Sequence, residues 1–293
     1  MISIKRIFNV ILLGIVYILL CTRYVGLNQC RYALYVMITG KGTPYHIVHA
    51  LAQYLNPRYT CVKGSHKLNG GKTMYFVNHR SWADFFVDGD MIPNSSYLSR
   101  MAVIFAFPTA CLCGYLNQFI WFFKRHRGIS RDWFTSFFKK NWAVRDNFGV
   151  IVYPEGHRYK GEGTLSLKTG VMEVAYNLHT PCQIVMSNGK EKLMDEVNLT
   201  INKNSLVTIF VSEVMDPTKF ATKEEWFEFV NAKWKEAYEY LESTESDGHE
   251  FFGPLPGIDP ESFQSESVPP KRRFVSLSVA VAVLVVLITA LCL

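Results

Sequence analysis

The chain has 293 residues, 49% of them hydrophobic and 14% aromatic, and a net charge of +6. The length allows one large domain or two small ones, and the modest basic excess suits anionic lipid surfaces and phosphorylated substrates. With no zinc spacing, RNA-binding signature or basic helix repeat, nucleic acid is not an expected partner, and the seven scattered cysteines give neither a disulfide framework nor a Cys-x-x-Cys metal site, so a reduced, cytosol-facing domain is expected.

In chain order, residues 7–22 are uncharged and mostly apolar behind Lys5 and Arg6, and a second apolar run covers 32–38. Sixteen residues fall short of the about 20 needed to span a bilayer. Cys21-Thr22-Arg23 is a poor cleavage site, so residues 1–43 read as an anchor or an interfacial helical hairpin rather than a signal peptide. Residues 44–70 are mixed and carry no clear pattern. A short strand over 72–77 ends in Asn78, and a helix follows from about Ser81. The stretch 101–123 is 23 residues without charge, long enough to span. Pro108, Gly114, Asn117 and Gln118 interrupt it, and a span would separate the two motifs below, so it reads as a buried or half-immersed helix and then a strand over 119–123. Cys111 and Cys113 within it read as packing. The sequons at Asn94 and Asn198 are expected to be unused.

A basic turn follows, Lys124-Arg125-His126-Arg127-Gly128, which is either a solvated loop or a phosphate grip. Ser130 can cap a helix over 131–145, whose Trp133, Phe134, Phe137, Phe138 and Trp142 form one core-facing stripe. A buried strand over 149–153 stops at Pro154. A helix over 165–177, strands over 181–186 and 206–212, and a helix from a Thr222/Glu225 capping box to about Leu241 complete an alternating α/β pattern. Composition then shifts to Ser, Glu, Gly and Pro over 242–273, a flexible linker ending in Lys271-Arg272-Arg273. Residues 274–293 are the strongest membrane signal, an apolar C-terminal transmembrane anchor whose basic flank faces the cytosol.

Two stretches carry chemistry. In Asn78-His79-Arg80-Ser81-Trp82-Ala83-Asp84, an imidazole precedes a carboxylate by five positions. Histidine can take a proton from a hydroxyl near neutral pH, and a carboxylate fixes its tautomer. Five residues on one helix is about 500° of rotation, so His79 should stand before the helix and Asp84 in its first turn. The alternative for Asp84 is a plain helix cap with Ser81. In Pro154-Glu155-Gly156-His157-Arg158, a basic side chain follows a glycine turn at the end of a buried strand, well placed to hold an anion. Lys160 and Lys168 are outer candidates, and Glu155 braces the turn or is an ordinary exposed turn residue.

Four blocks occur in order: Asn78-His79-x-Ser81-x-x-Asp84, Phe123-Lys124-Arg125, Glu155-Gly156-His157-Arg158, and Thr180-Pro181 opening an apolar strand. Over about residues 70–190 the chain resembles the glycerolipid acyltransferases, specifically the lysophosphatidic acid (1-acyl-glycerol-3-phosphate) acyltransferase family. His157 stands where the family has threonine. The resemblance implies an α/β fold with a mixed, largely parallel sheet flanked by helices, N-terminal hydrophobic helices, and an acyltransferase domain over 44–241. It implies transfer of an acyl group from acyl-CoA to a lysophospholipid hydroxyl at the bilayer, with His79 as base and Asp84 orienting it. Arg125, Arg158 and Lys124 would hold the acceptor phosphate, with Asn78, Glu155 and Gly156 bracing the site and backbone N–H groups near Gly156 facing the oxyanion. No metal or cofactor is expected beyond acyl-CoA as co-substrate, and the endoplasmic reticulum is the expected membrane. Lysophosphatidylinositol, lysocardiolipin and glycerol-3-phosphate are alternative acceptors. A hydrolase using Ser81 as nucleophile and a non-catalytic adaptor are the rival classes.

Overall fold

The computed structural model of the chain describes residues 4–42, 45–123, 129–144, 148–195, 198, 200–259 and 267–292. The core is an eight-stranded sheet. In chain order its strands are β1 (Arg58–Val62), β2 (Met74–Val77), β3 (Ser95–Arg100), β4 (Ile120–Phe123), β5 (Gly149–Val152), β6 (Cys182–Asn188), β9 (Leu206–Val211) and β10 (Ser246–Phe251). The short β7 (Met194–Asp195) and β8 (Thr200–Ile201) pair separately. The spatial order is β10-β1-β9-β6-β2-β5-β3-β4. Strands β6, β2, β5, β3 and β4 run parallel, and β9 joins β6 antiparallel.

The central strands read as unbroken apolar runs because both of their faces are covered. Along β2, Tyr75 and Val77 point into one core and Met74 and Phe76 into the other. The second core is closed by helices α6 (Arg131–Trp142), α7 (Thr169–Asn177) and α9 (Lys223–Ser243). The first is closed by α2 (Tyr45–Leu55), α3 (Asp84–Met91) and α5 (Pro108–Leu116), and outside these by α1 (Ile4–Thr39) and α10 (Pro270–Cys292). The short α4 (Val103–Ala106) and α8 (Lys190–Leu193) complete the helices.

The 101–123 stretch is two short helices and a strand. Phe107, at φ −135° and ψ 63°, breaks the helix where Pro108 begins α5, since a residue before proline is pushed out of the α region. Strand β4 then enters the sheet beside β3.

Three expectations change. Of the two readings of the N-terminal segment, an anchor or an interfacial hairpin, the hairpin gives way to one continuous helix over Ile4–Thr39, in which no proline separates the two apolar runs. The stretch expected to be linker contributes β10, which pairs antiparallel with β1 at the sheet edge. The helix expected over 165–177 starts at Thr169, because Lys168 is extended (φ −80°, ψ 122°) and its N–H bonds Pro154 O at 2.8 Å.

Pro270–Thr289 in α10 is long and apolar enough to cross a bilayer. The helix lies against α1 through Val279 and Val283, and Gly26 lets it approach, since a Cβ there would meet Val283 Cγ1 at 2.6 Å. A buried polar cluster joins the two to the end of α5. Gln29 Nε2 donates to Ser276 O at 2.9 Å, Asn117 Nδ2 to Gln29 Oε1 at 2.8 Å, and Ser276 Oγ to Asn117 Oδ1 at 2.5 Å.

Candidate active site

The carboxyl ends of β2, β3, β5 and β6 open on one edge of the sheet, the usual ligand-binding edge of parallel α/β sheets. At the end of β2, Asn78 is buried and ties that strand to β6. Its Nδ2 donates to Ser187 O at 2.7 Å and its Oδ1 accepts from Ser187 N at 3.0 Å. His79 follows, just off the sheet.

His79 Nδ1 lies 2.7 Å from Asp84 Oδ2. That bond fixes Nδ1 as the donor and leaves Nε2 for the cleft, where the ring has a quarter of its surface open, at 26%. Asp84 is 1% exposed. Its Oδ2 also accepts from Arg80 N at 2.6 Å, and its Oδ1 from Ser81 N at 2.9 Å. Ser81 is therefore a turn residue rather than a helix cap: its Oγ accepts from Ala83 N at 2.9 Å, and α3 begins at Asp84. Burial pushes the Asp84 carboxyl up, but the Lys190 charge and the His79 hydrogen bond outweigh it, and the net is a group held below the ordinary carboxylate range.

The imidazole is held from three further sides. Tyr153 stacks on it at 4.3 Å between ring centroids and 18° between planes. The His79 N–H donates to Glu155 Oε2 at 2.8 Å, and His79 O accepts from Tyr159 N at 2.8 Å. Glu155, buried just beyond the end of β5, thus braces the backbone of His79, and its burial raises its carboxyl above the usual range.

Gly156 has φ +78°, the left-handed region that favours glycine. Its carbonyl accepts from Arg100 Nη2, and its own N–H is bonded to Tyr153 O at 3.0 Å. Of the backbone N–H groups near Gly156 expected to face the oxyanion, that of Gly156 itself is already bonded. Arg158 lies over the Trp82 ring, 5.6 Å from the centroid, at the cleft wall. Lys160 and Lys168 line the same cleft. Lys124 and Arg125 lie outside the described residues, immediately after β4.

The cleft has a volume of about 1070 Å³. Its lining mixes cationic side chains (Arg100, Arg131, Arg158, Lys168) with apolar ones (Trp82, Phe85, Val103, Phe107), and His79 is among them. An imidazole in a cleft that offers both cations and apolar surface can activate the hydroxyl of an amphiphile with an anionic head.

Four site residues escaped the sequence reading. Arg100 ends β3, a strand hidden under a serine-rich sequon. Tyr153 and Asp88 join through the tyrosine O–H, which donates to Asp88 Oδ2 at 2.8 Å. Lys190 is fully buried and donates to Asp88 Oδ1 at 2.9 Å. Only Asp88 carried a signal, its position four residues after Asp84 on the same helix face.

Residues 59–187 match the family model described as Acyltransferase. The crystal structure of the 1-acyl-sn-glycerophosphate (LPA) acyltransferase PlsC from Thermotoga maritima is similar in fold, with a TM-score of 0.55 and 17% identity over 83% of this chain and 100% of that one. No curated protein is detectably similar in sequence.

Proposed function

We propose that the chain, whose residues 59–187 match the Acyltransferase family model, is an acyl-CoA-dependent 1-acylglycerol-3-phosphate O-acyltransferase. It moves a fatty acyl group to the free hydroxyl of lysophosphatidic acid, giving phosphatidic acid. One observation carries this reading: the His79–Asp84 pair, 2.7 Å apart, sits at a cleft lined by both cationic and apolar side chains.

The acceptor phosphate binds among the cations of the cleft, with Arg158 and Arg100 nearest in kind to the bidentate phosphate fork. Lys124 and Arg125 are proposed to add to that grip. The hydroxyl is thereby fixed near His79 Nε2, which takes its proton as the oxygen attacks the thioester carbonyl. Asp84 steadies the imidazolium. Collapse of the tetrahedral intermediate breaks the carbon–sulfur bond, and the imidazolium returns its proton to the leaving CoA thiolate.

The apolar wall of Trp82, Phe85 and Phe107 suits an acyl chain. Exposed apolar residues beside it, Met101, Phe105 (85% exposed) and Leu112, together with α10, support work at a bilayer. The endoplasmic reticulum with the domain on the cytosolic side is the proposed location, from the basic flank of α10. A hydrolase with Ser81 as nucleophile is disfavoured, because that hydroxyl is buried and bonded within its turn.

CoA release from oleoyl-CoA, with and without lysophosphatidic acid, tests the reading beside His79→Ala. Acceptor-dependent release that the variant loses supports it. Acceptor-independent release points to a hydrolase. Release only with lysophosphatidylinositol, lysocardiolipin or glycerol-3-phosphate keeps the reaction and corrects the acceptor.

A further inference from the structure

Beneath the His79–Asp84 pair lies a buried charge cluster that the acyl-transfer steps above leave unused. Lys190 follows β6 through Gly189, which has φ +95° and whose Cβ would meet Leu206 O at 2.3 Å. That turn aims the lysine inward rather than to solvent. Its Nζ donates to Asn78 O at 2.7 Å and to Asp88 Oδ1 and Oδ2 at 2.9 and 3.2 Å, and lies 3.8 Å from Asp84 Oδ1. Asp84 and Asp88 stand one turn apart on α3, and both are buried.

Two buried carboxylates on one wall cannot both ionise without a cation, because repulsion and desolvation drive a proton onto one of them. Lys190 is that cation. With Asp88 ionised the two aspartates and the lysine together carry one negative charge, and with Asp88 protonated Lys190 faces the Asp84 carboxylate alone; in both states Asp84 meets the positive charge that appears on His79 when it takes the hydroxyl proton. Asp88 extends the cluster through Tyr153, whose ring stacks on His79. The other titratable and charged groups around it are Glu155, Tyr97, Tyr59, Asp90 and the Arg80–Glu191 pair.

We propose that Lys190 is a positioning residue of the transfer: a fixed counter-charge that keeps Asp84 anionic against His79 although Asp88 stands beside it. This rests on the acyltransferase reading. The directions of titration agree. Asp84 is held low in part by Lys190, whereas Asp88, raised most by burial, sits at about 7.

The test uses the full chain in detergent, with kcat and KM for CoA release from oleoyl-CoA and lysophosphatidic acid measured from pH 5.5 to 9. Lys190→Met should lower kcat roughly 100-fold with KM within about threefold, and should move the acid limb of the pH profile up by about one unit, because Asp84 then shares a proton with Asp88. Lys190→Met/Asp88→Asn removes the pair as a neutral unit. It should return the acid limb to its wild-type position and recover about tenfold in kcat. A purely structural lysine would leave the limb unmoved in the single variant and make the double variant worse, and either result overturns the proposal. If Lys190→Met does not fold, Lys190→Gln, which keeps a donor for Asn78 O without the charge, decides in its place: a raised limb supports the proposal and an unmoved limb overturns it. A wild-type chain without acceptor-dependent release overturns the acyltransferase reading; an active wild type with an unmoved limb overturns this inference only.

Discussion

Asp84→Asn is the sharpest test of the catalytic pair. In the wild type, Oδ2 accepts from His79 Nδ1 at 2.7 Å and Arg80 N at 2.6 Å, while Oδ1 accepts from Ser81 N at 2.9 Å and faces Lys190 Nζ at 3.8 Å. An asparagine has one acceptor oxygen and one donor nitrogen, so one side must turn donor. If the NH2 takes the Oδ1 place, it meets the Ser81 amide and the Lys190 ammonium. If it takes the Oδ2 place, it meets the Arg80 amide, and the imidazole can adapt by moving its own proton to Nε2. The second arrangement leaves only one donor unsatisfied, about 1–3 kcal/mol of stability, and avoids the ammonium. It also puts a hydrogen on the nitrogen that must act as base. The loss should therefore resemble that of other wrong-tautomer variants, about 10³- to 10⁴-fold in kcat, or roughly 4–5.5 kcal/mol of transition-state stabilisation. KM for lysophosphatidic acid should stay within about threefold, since Asp84 is buried and does not line the cleft. Steady-state CoA release measures both. A kcat within threefold of wild type would refute the assignment of Asp84 as orienting carboxylate.

Three more predictions concern stability. Gly189→Ala forces a left-handed φ of +95° on a residue with a Cβ and drives that atom to 2.3 Å from Leu206 O, so it should lose about 2 kcal/mol or more in denaturant unfolding; an unchanged midpoint contradicts the tightness of the turn. Asp88 is raised from 3.8 to about 7, chiefly by burial. A folded state that keeps a proton the unfolded chain has released loses stability as pH rises from about 3.8 to 7. Asp84, held below 3.8, acts only beneath that window. Asp88→Asn should therefore flatten the fall in melting temperature between pH 4.5 and pH 7.5, and an unaltered slope refutes the burial of a proton there. Trp226→Phe removes the bond from Nε1 to Met172 O, 3.0 Å long, in the core between α7 and α9. It should destabilise by about 1–3 kcal/mol and leave kcat within twofold; a large kcat loss would mean that this core reports on the site.

The central strands were legible in the sequence because β2, β5 and β6 are buried on both faces and must be apolar throughout. The same holds for α9, whose Thr222 and Glu225 form the capping box that their spacing suggested. Strand β10 was hidden because it is an exposed edge strand, joined to β1 through its backbone, so its Ser-Asp-Gly-His-Glu sequence carries no apolar period. Strand β3 reads as a serine-rich turn, although Ser95 and Ser96 are buried. At the site, His79, Asp84 and Glu155 could be found because their residue types announce proton chemistry or sit at a strand–glycine junction. Lys190 could not. A lysine after Asn188-Gly189 looks solvated in any one-dimensional reading, and its inward aim follows from the positive φ of Gly189 and from an aspartate pair about one hundred positions earlier. The pairing of α1 with α10 was equally invisible, because hydropathy describes each segment and not its neighbour.

That pairing also sets a schedule. The bond from Gln29 to Ser276 spans 247 positions. At a synthesis rate of 5–20 residues per second, α1 emerges roughly 12–50 s before the helix that completes it. During that interval the Gln29 amide has neither Ser276 nor, at first, Asn117 to bond, and if buried without them it would be left unsatisfied. The nascent first helix therefore needs an interim partner, either a hydrated surface or a chaperone, and changes at Gln29 or Asn117 should appear as lower yield from the ribosome before they appear as slower turnover by the finished enzyme.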